Sequence, residues 1–137
     1  MLSTIAIIGC GTMGEALVQG LLREDVIDAE HIIATNPRPE RGAELETRYG
    51  IRTTTDNIEA AKQATLVFLS IKPQVMPRVL KELRDHVQDD ALVFSIAAGV
   101  TIDTIRQELG TEAVVRAMPN TPAQIGEGIT MWTATDA

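Results

Sequence analysis

Cysteine is almost absent from this chain: 137 residues hold one. No internal disulfide can form, and such usage fits a reducing compartment, so a cytoplasmic location is the expectation. Aromatic residues are scarce too, at 3%, which leaves no stacking platform for single-stranded nucleic acid. Positive charge is in deficit. Twelve Lys and Arg face nineteen Asp and Glu, a net charge of −7, which argues against broad nucleic-acid binding. No apolar run is long enough to span a bilayer, so no membrane partner is expected. Met1 leads straight into strand-like sequence, without the basic and apolar regions of a targeting peptide. The two histidines, His31 and His86, show no metal-ligand spacing, and no metal is expected. Nucleophile elbow, Walker lysine and paired carboxylates are also missing, so the chemistry has to come mostly from a bound cofactor.

What is present is a glycine turn. Ile5-Ala6-Ile7-Ile8 is a short β-branched run, and Gly9-Cys10-Gly11-Thr12-Met13-Gly14 follows with G-x-G-x-x-G spacing. Met13, Ala16, Leu17, Gly20 and Leu21 then recur at helical intervals. Strand, turn and helix together are the opening of a dinucleotide-binding βαβ unit. Gly9 permits the tight turn, Gly11 lets backbone approach a pyrophosphate, and Gly14 lets the helix pack on its strand. The helix N-terminus offers the phosphates free N–H groups and the positive end of its dipole. Cys10, inside this turn and far from any histidine in sequence, reads as a small tolerated residue rather than a nucleophile.

The remaining chain alternates strands and helices over one domain, residues 1–137. Strands are expected at 31–35, 51–53, 66–71, 91–96 and 113–118, with helices at 40–49, 58–63, 75–87 and 101–109. Leu66 to Ile71 is almost continuously apolar, as a parallel strand buried on both faces must be. A last strand over Ile129 to Thr133 is expected to return antiparallel, since no crossover helix fits before it.

Three strand ends bear on a ligand, because open α/β sheets bind outside the carboxyl ends of their strands. The second strand ends at Asn36-Pro37-Arg38, where an NAD-preferring unit usually carries an acid for the ribose hydroxyls. Asn36 with Arg38 and Arg41 would instead welcome a 2′-phosphate, favouring NADP(H) over NAD(H). Both arginines are equally at home on a solvated loop and helix start. Lys72, after the central strand, faces either a ligand or plain solvent. Ala97-Ala98-Gly99 is small enough for a group to lie against its backbone, or to be a simple tight turn. Thr55-Asp56-Asn57 supplies caps for the short helix that follows, and Asn57 reads from its position as no more than one of them.

Gly9 to Gly14, Ile71-Lys72-Pro73, Ala97-Ala98-Gly99-Val100-Thr101 and Met118-Pro119-Asn120-Thr121-Pro122-Ala123 occur here in that order. The series resembles the pyrroline-5-carboxylate reductase family, from about Ile5 to Thr133. The resemblance implies a Rossmann-type, doubly wound α/β domain with helices on both faces of a mostly parallel sheet. It implies NADPH as cofactor, with NADH the weaker alternative, and 1-pyrroline-5-carboxylate as the substrate reduced to L-proline. By motif, the pyrophosphate rests on Gly9 to Met13 beside Ile8, with Gly11 and Thr12 at its centre. Asn36 and Arg38 meet the adenosine ribose and its phosphate, and Asn57 becomes an adenosine-side residue. Ser70, Ile71, Lys72, Pro73, Ala97, Ala98 and Gly99 line the nicotinamide side, and Asn120 sits at the substrate mouth. The family runs to about twice this length. Its second half is a helical domain that builds a homo-oligomer and carries most of the substrate site, so the catalytic residues are expected there. A related dehydrogenase and a non-catalytic NADP-binding module are the competing readings.

Overall fold

The structure, a computed structural model, describes residues 4–97, 99–119 and 130–134. Among the described residues seven strands form one sheet: β1 (Ile5–Ile8), β2 (Ile32–Thr35), β3 (Arg52–Thr54), β4 (Leu66–Leu69), β5 (Leu92–Ser95), β6 (Val114–Pro119) and β7 (Thr130–Ala134). Their order is β3-β2-β1-β4-β5-β6-β7. Neighbours from β3 to β6 run parallel, and β7 returns antiparallel on β6 with Ala117 opposite Trp132. The order reverses between β1 and β4, and the ligand crevice of a doubly wound sheet opens at such a switch point.

Among the described residues five α-helices lie between the strands: α1 (Thr12–Arg23), α2 (Pro39–Tyr49), α3 (Asn57–Gln63), α4 (Met76–Leu83) and α5 (Ile102–Leu109). The two-residue period of the strands sorts their side chains into two cores. Ile5, Ile7, Leu66 and Phe68 pack with Val18 of α1 and Leu45 of α2. Ala6, Ile8, Val67 and Leu69 pack with Ala60 of α3, Leu80 of α4 and Ile105 of α5. Both faces of β1 and β4 are therefore covered, which is why their sequences are apolar throughout.

Several sequence expectations shift. The buried face of α1 is Gly14 and Val18, with Leu17, Leu21 and Leu22 packed beside them. Met13 and Ala16 turn toward clefts instead. Of the cap candidates Thr55, Asp56 and Asn57, Asp56 caps α3: its carboxylate accepts from the N–H groups of Ile58 and Glu59. The fourth helix is shorter than expected, ending at Leu83, with Pro77 in its first turn where a missing N–H costs nothing. Ala98 and residues 120–129, Asn120 among them, lie outside the described residues.

Candidate functional site at the glycine turn

At the end of β1 the backbone makes a tight turn that long-range partners hold. Gly9 adopts φ +78°, and a Cβ there would lie 2.1 Å from Ile71 Cγ2. The Gly9 N–H donates to Thr35 Oγ1 at 2.9 Å, and the Cys10 N–H donates to the Thr35 carbonyl at 2.7 Å. Thr35 is 1% exposed. It ties the tip of β2 to the turn, a role no local pattern in the sequence marks. Just past the end of β4, the Ser70 hydroxyl donates to the carbonyls of Ile8 and Gly9, both at 3.1 Å. Ile8 thus meets the turn through its carbonyl, while its side chain is buried in the core.

Gly14 is a contact point: a Cβ would come within 3.0 Å of Ser70 Oγ and 3.1 Å of Cys10 Sγ. Cys10 is fully buried, and burial pushes its thiol up to about 11 against the opposing charge of Arg41. A thiol so seldom ionised is inert as a nucleophile. Gly11 differs from both flanking glycines. Nothing lies within 4 Å of the Cβ it lacks. It starts α1 with no side-chain cap, so the first N–H groups of the helix face outward without an intrahelical partner.

Two clefts open from this point. The larger, about 680 Å³, runs from Thr55 and Asn57 past Gly9, Gly11, Thr12 and Met13. It continues along Ser70, Ile71, Lys72 and Pro73 to Ile96 and Ala97. Most of the residues singled out in sequence therefore share one surface. Gly99, with φ +76°, follows Ala97 without lining this cleft. The smaller cleft, about 450 Å³, lies between α1 and α2, with Asn36, Arg38 and Arg41 on its wall.

Asn36 separates the two. Its Nδ2 donates to the Cys10 carbonyl at 3.3 Å and its Oδ1 accepts from the Arg38 N–H at 3.0 Å. One N–H and one lone pair of the amide stay available. Arg38 is exposed, and no described residue accepts a hydrogen bond from its guanidinium. Arg41 does not stand free as its sequence position suggested. It donates to Glu15 at 2.6 Å and to Glu44 at 3.3 Å. Glu15 also accepts from Arg48 and from the Tyr49 hydroxyl, each at 2.5 Å. Desolvation raises the Glu15 carboxyl, but the bonds from Tyr49, Arg41 and Arg48 outweigh it and bring the pKa to about 2. Across the larger cleft, Asn57 Nδ2 donates to Glu82 of α4 at 2.7 Å. Lys72 is exposed beside it.

At the opposite end of β2, Asp28, Glu30 and His31 bring ligand-type atoms within 4.8 Å of one another. All three are exposed, and their grouping was not expected from spacing. No described helix is long and apolar enough to cross a membrane.

Residues 4–99 match the family described as NADP oxidoreductase, coenzyme F420-dependent. The chain belongs to this NADP oxidoreductase family. Within its relatives, a pyrroline-5-carboxylate reductase of Vibrio alginolyticus is 46% identical over 126 residues, covering 91% of this chain and 46% of that protein. Among solved structures, a pyrroline-5-carboxylate reductase from Coxiella burnetii superposes with a TM-score of 0.92 at 36% identity. That match covers 98% of this chain and 50% of the other. A Plasmodium falciparum pyrroline carboxylate reductase with NADP bound gives a TM-score of 0.82 at 25% identity, over 97% of this chain and 48% of that one. The chain spans about half the length of the relatives it matches. The Rossmann-like fold expected from the sequence is the fold observed, down to the antiparallel last strand.

Proposed function

We propose that this member of the NADP oxidoreductase family is the cofactor-binding part of a pyrroline-5-carboxylate reductase, using NADPH in preference to NADH. The observation that carries the reading is Gly11. It alone of the three turn glycines has empty space where a side chain would stand, and that space adjoins the uncapped start of α1. A Cβ at this point would fill the cradle a pyrophosphate needs, so the residues fit the group. Thr12 and Met13 N–H groups would hold the phosphates, with Gly9 and Ser70 keeping the turn in shape behind them. Asn36 has hydrogen-bonding capacity left for the ribose, and Arg38 has an exposed guanidinium for a 2′-phosphate. No acid stands at the end of β2 to repel it. Asn57, held by Glu82, would border the adenosine, and Lys72, Pro73 and Ala97 the nicotinamide.

When bound, the nicotinamide supplies a hydride for the C=N carbon of 1-pyrroline-5-carboxylate. The part of this chain would be to fix the ring's position, through Lys72, Pro73 and Ala97 on the cleft wall. Hydride transfer needs the donor and acceptor carbons in near-attack contact, and among the described residues lining this cleft only two cations, Lys72 and Arg78, could meet the substrate's carboxylate. We infer that residues outside these 137 complete the substrate site, and that the intact enzyme is a homo-oligomer.

The test is NADPH oxidation by the 137-residue chain with pyrroline-5-carboxylate, with cofactor binding followed by fluorescence in the same sample. The expected result is binding without turnover. Absence of binding would refute the cofactor reading, and turnover would place the substrate site within this chain.

A further inference from the structure

Arg41 and Glu15 meet at the wall of the smaller cleft, where Arg38 also stands. Their side chains are 14% and 15% exposed, so the pair is shielded on most sides and weakly screened by salt. Three of the five N–H groups of Arg41 are engaged: Nη2 donates to Glu15 at 2.6 Å and to the Gly11 carbonyl at 3.4 Å, and Nη1 donates to Glu44 at 3.3 Å. The cleft thus holds two guanidinium groups, Arg38 and Arg41, and two carboxylates, Glu15 and Glu44. Its formal charge sums to nothing.

A phosphate monoester carries close to two negative charges at neutral pH. For such a group to recruit the Nη edge of Arg41, it must compete with carboxylates already bound there, one of them at 2.6 Å. It must also approach Glu15 itself, which Arg48 and Tyr49 fix in place from the α2 side. Arg38 has no such competitor.

Resting on the reading of this cleft as the adenosine 2′-phosphate end of the cofactor site, we propose that Glu15 sets the cofactor preference by withholding Arg41 from the 2′-phosphate. Arg38 then discriminates alone, and the chain accepts NADH as well as NADPH with only a modest margin. Glu15 is a specificity-determining residue that acts through Arg41 and touches no reacting atom.

The experiment uses the full 137-residue chain and two ligand pairs, NADPH with NADH and adenosine 2′,5′-bisphosphate with 5′-AMP. Dissociation constants are measured by calorimetry for wild type, Glu15→Gln, Arg41→Met and the double variant. Glu15→Gln keeps the shape and one acceptor for Arg41 while removing the charge. It is expected to raise the affinity ratio in favour of the 2′-phosphorylated ligand about tenfold, the worth of one charge-assisted hydrogen bond. Affinity for 5′-AMP should move less than twofold, which a general loosening of the fold would not permit. Adding Arg41→Met should erase the gain. An unchanged or reduced ratio in Glu15→Gln overturns the proposal. So does a gain that survives Arg41→Met, since Glu15 would then act on the phosphate directly. Failure of the underlying cofactor reading looks different: wild type would bind neither NADPH nor NADH. Should Glu15→Gln fail to fold, Glu44→Gln probes the other carboxylate on Arg41 and is expected to raise the ratio by a smaller factor; no rise there counts against the proposal.

Discussion

The two sides of the glycine turn are built on opposite plans. The inner side, with Gly9, Cys10 and Gly14, is packed against Ile71, Ser70 and Ile7 at contact distance. The outer side, with Gly11, Thr12 and Met13, borders open space and uncapped N–H groups. The same residue type serves both: a missing side chain admits neighbouring protein atoms at Gly14 and leaves room for a ligand at Gly11. The inner side belongs to folding stability and the outer side to binding, so substitutions should separate the two.

The largest effect is expected at Gly9. Gly9→Ala combines a positive φ with a Cβ 2.1 Å from Ile71 Cγ2, and should cost about 2–4 kcal/mol of stability, read as a lower urea midpoint. Gly11→Ala meets no neighbour at φ −92°. Its stability should stay within about 1 kcal/mol of wild type, while NADPH affinity falls at least roughly tenfold as the pyrophosphate loses its close approach. Equal effects of the two changes on both readouts would erase the distinction between the sides.

Acid offers the next test. Glu15 lies on the outer side but is tied to α2 by Arg41, Arg48 and Tyr49. Its carboxyl is lowered from 4.5 to about 2, so the unfolded chain binds this proton more readily than the folded one. The stabilisation is complete above about pH 4.5 and disappears as pH falls toward 2. After allowance for solvent screening it amounts to about 2 kcal/mol. Stability measured against pH should therefore fall less steeply below pH 4.5 in Glu15→Gln. Identical acid limbs would show that the three bonds do not favour the charged form.

How far each side could be read from sequence follows from the range of its contacts. The strands and their order of burial were legible because β-branched runs at Ile5–Ile8 and Leu66–Leu69 encode their surroundings locally. The glycine turn was legible because three residues within six carry it. The inward face of α1 was legible in part: the glycine spacing marked the close contact at Gly14, and Leu17 and Leu21 pack on the core, but the apolar count chose Met13 and Ala16 and missed the buried Val18. Thr35 on the turn, Arg41 on Glu15 and Asn57 on Glu82 were not legible. Each joins residues about 25 positions apart, and no local pattern in one sequence reports such a pairing. Arg41 shows the consequence most clearly: its position predicted a phosphate ligand, and its partner turned out to be a carboxylate on another helix.

Cys10 probes the inner side at the least cost to the protein, through the reactivity of a native side chain. Its thiol is fully buried between the turn and α1, and desolvation pushes its pKa to about 11 although Arg41 opposes this. Reaction with a disulfide reagent requires the thiolate and access to it. Ionisation alone should slow labelling at pH 7.5 by roughly two orders of magnitude relative to free cysteine, and burial should slow it further. Labelling should therefore proceed through opening of the inner side and accelerate with urea in step with unfolding. Gly11→Ala should leave the rate unchanged and Gly9→Ala should raise it. A Cys10 that reacts as fast as free cysteine in the native protein would mean that the inner side is as open as the outer one, and the division of labour within the turn would fail.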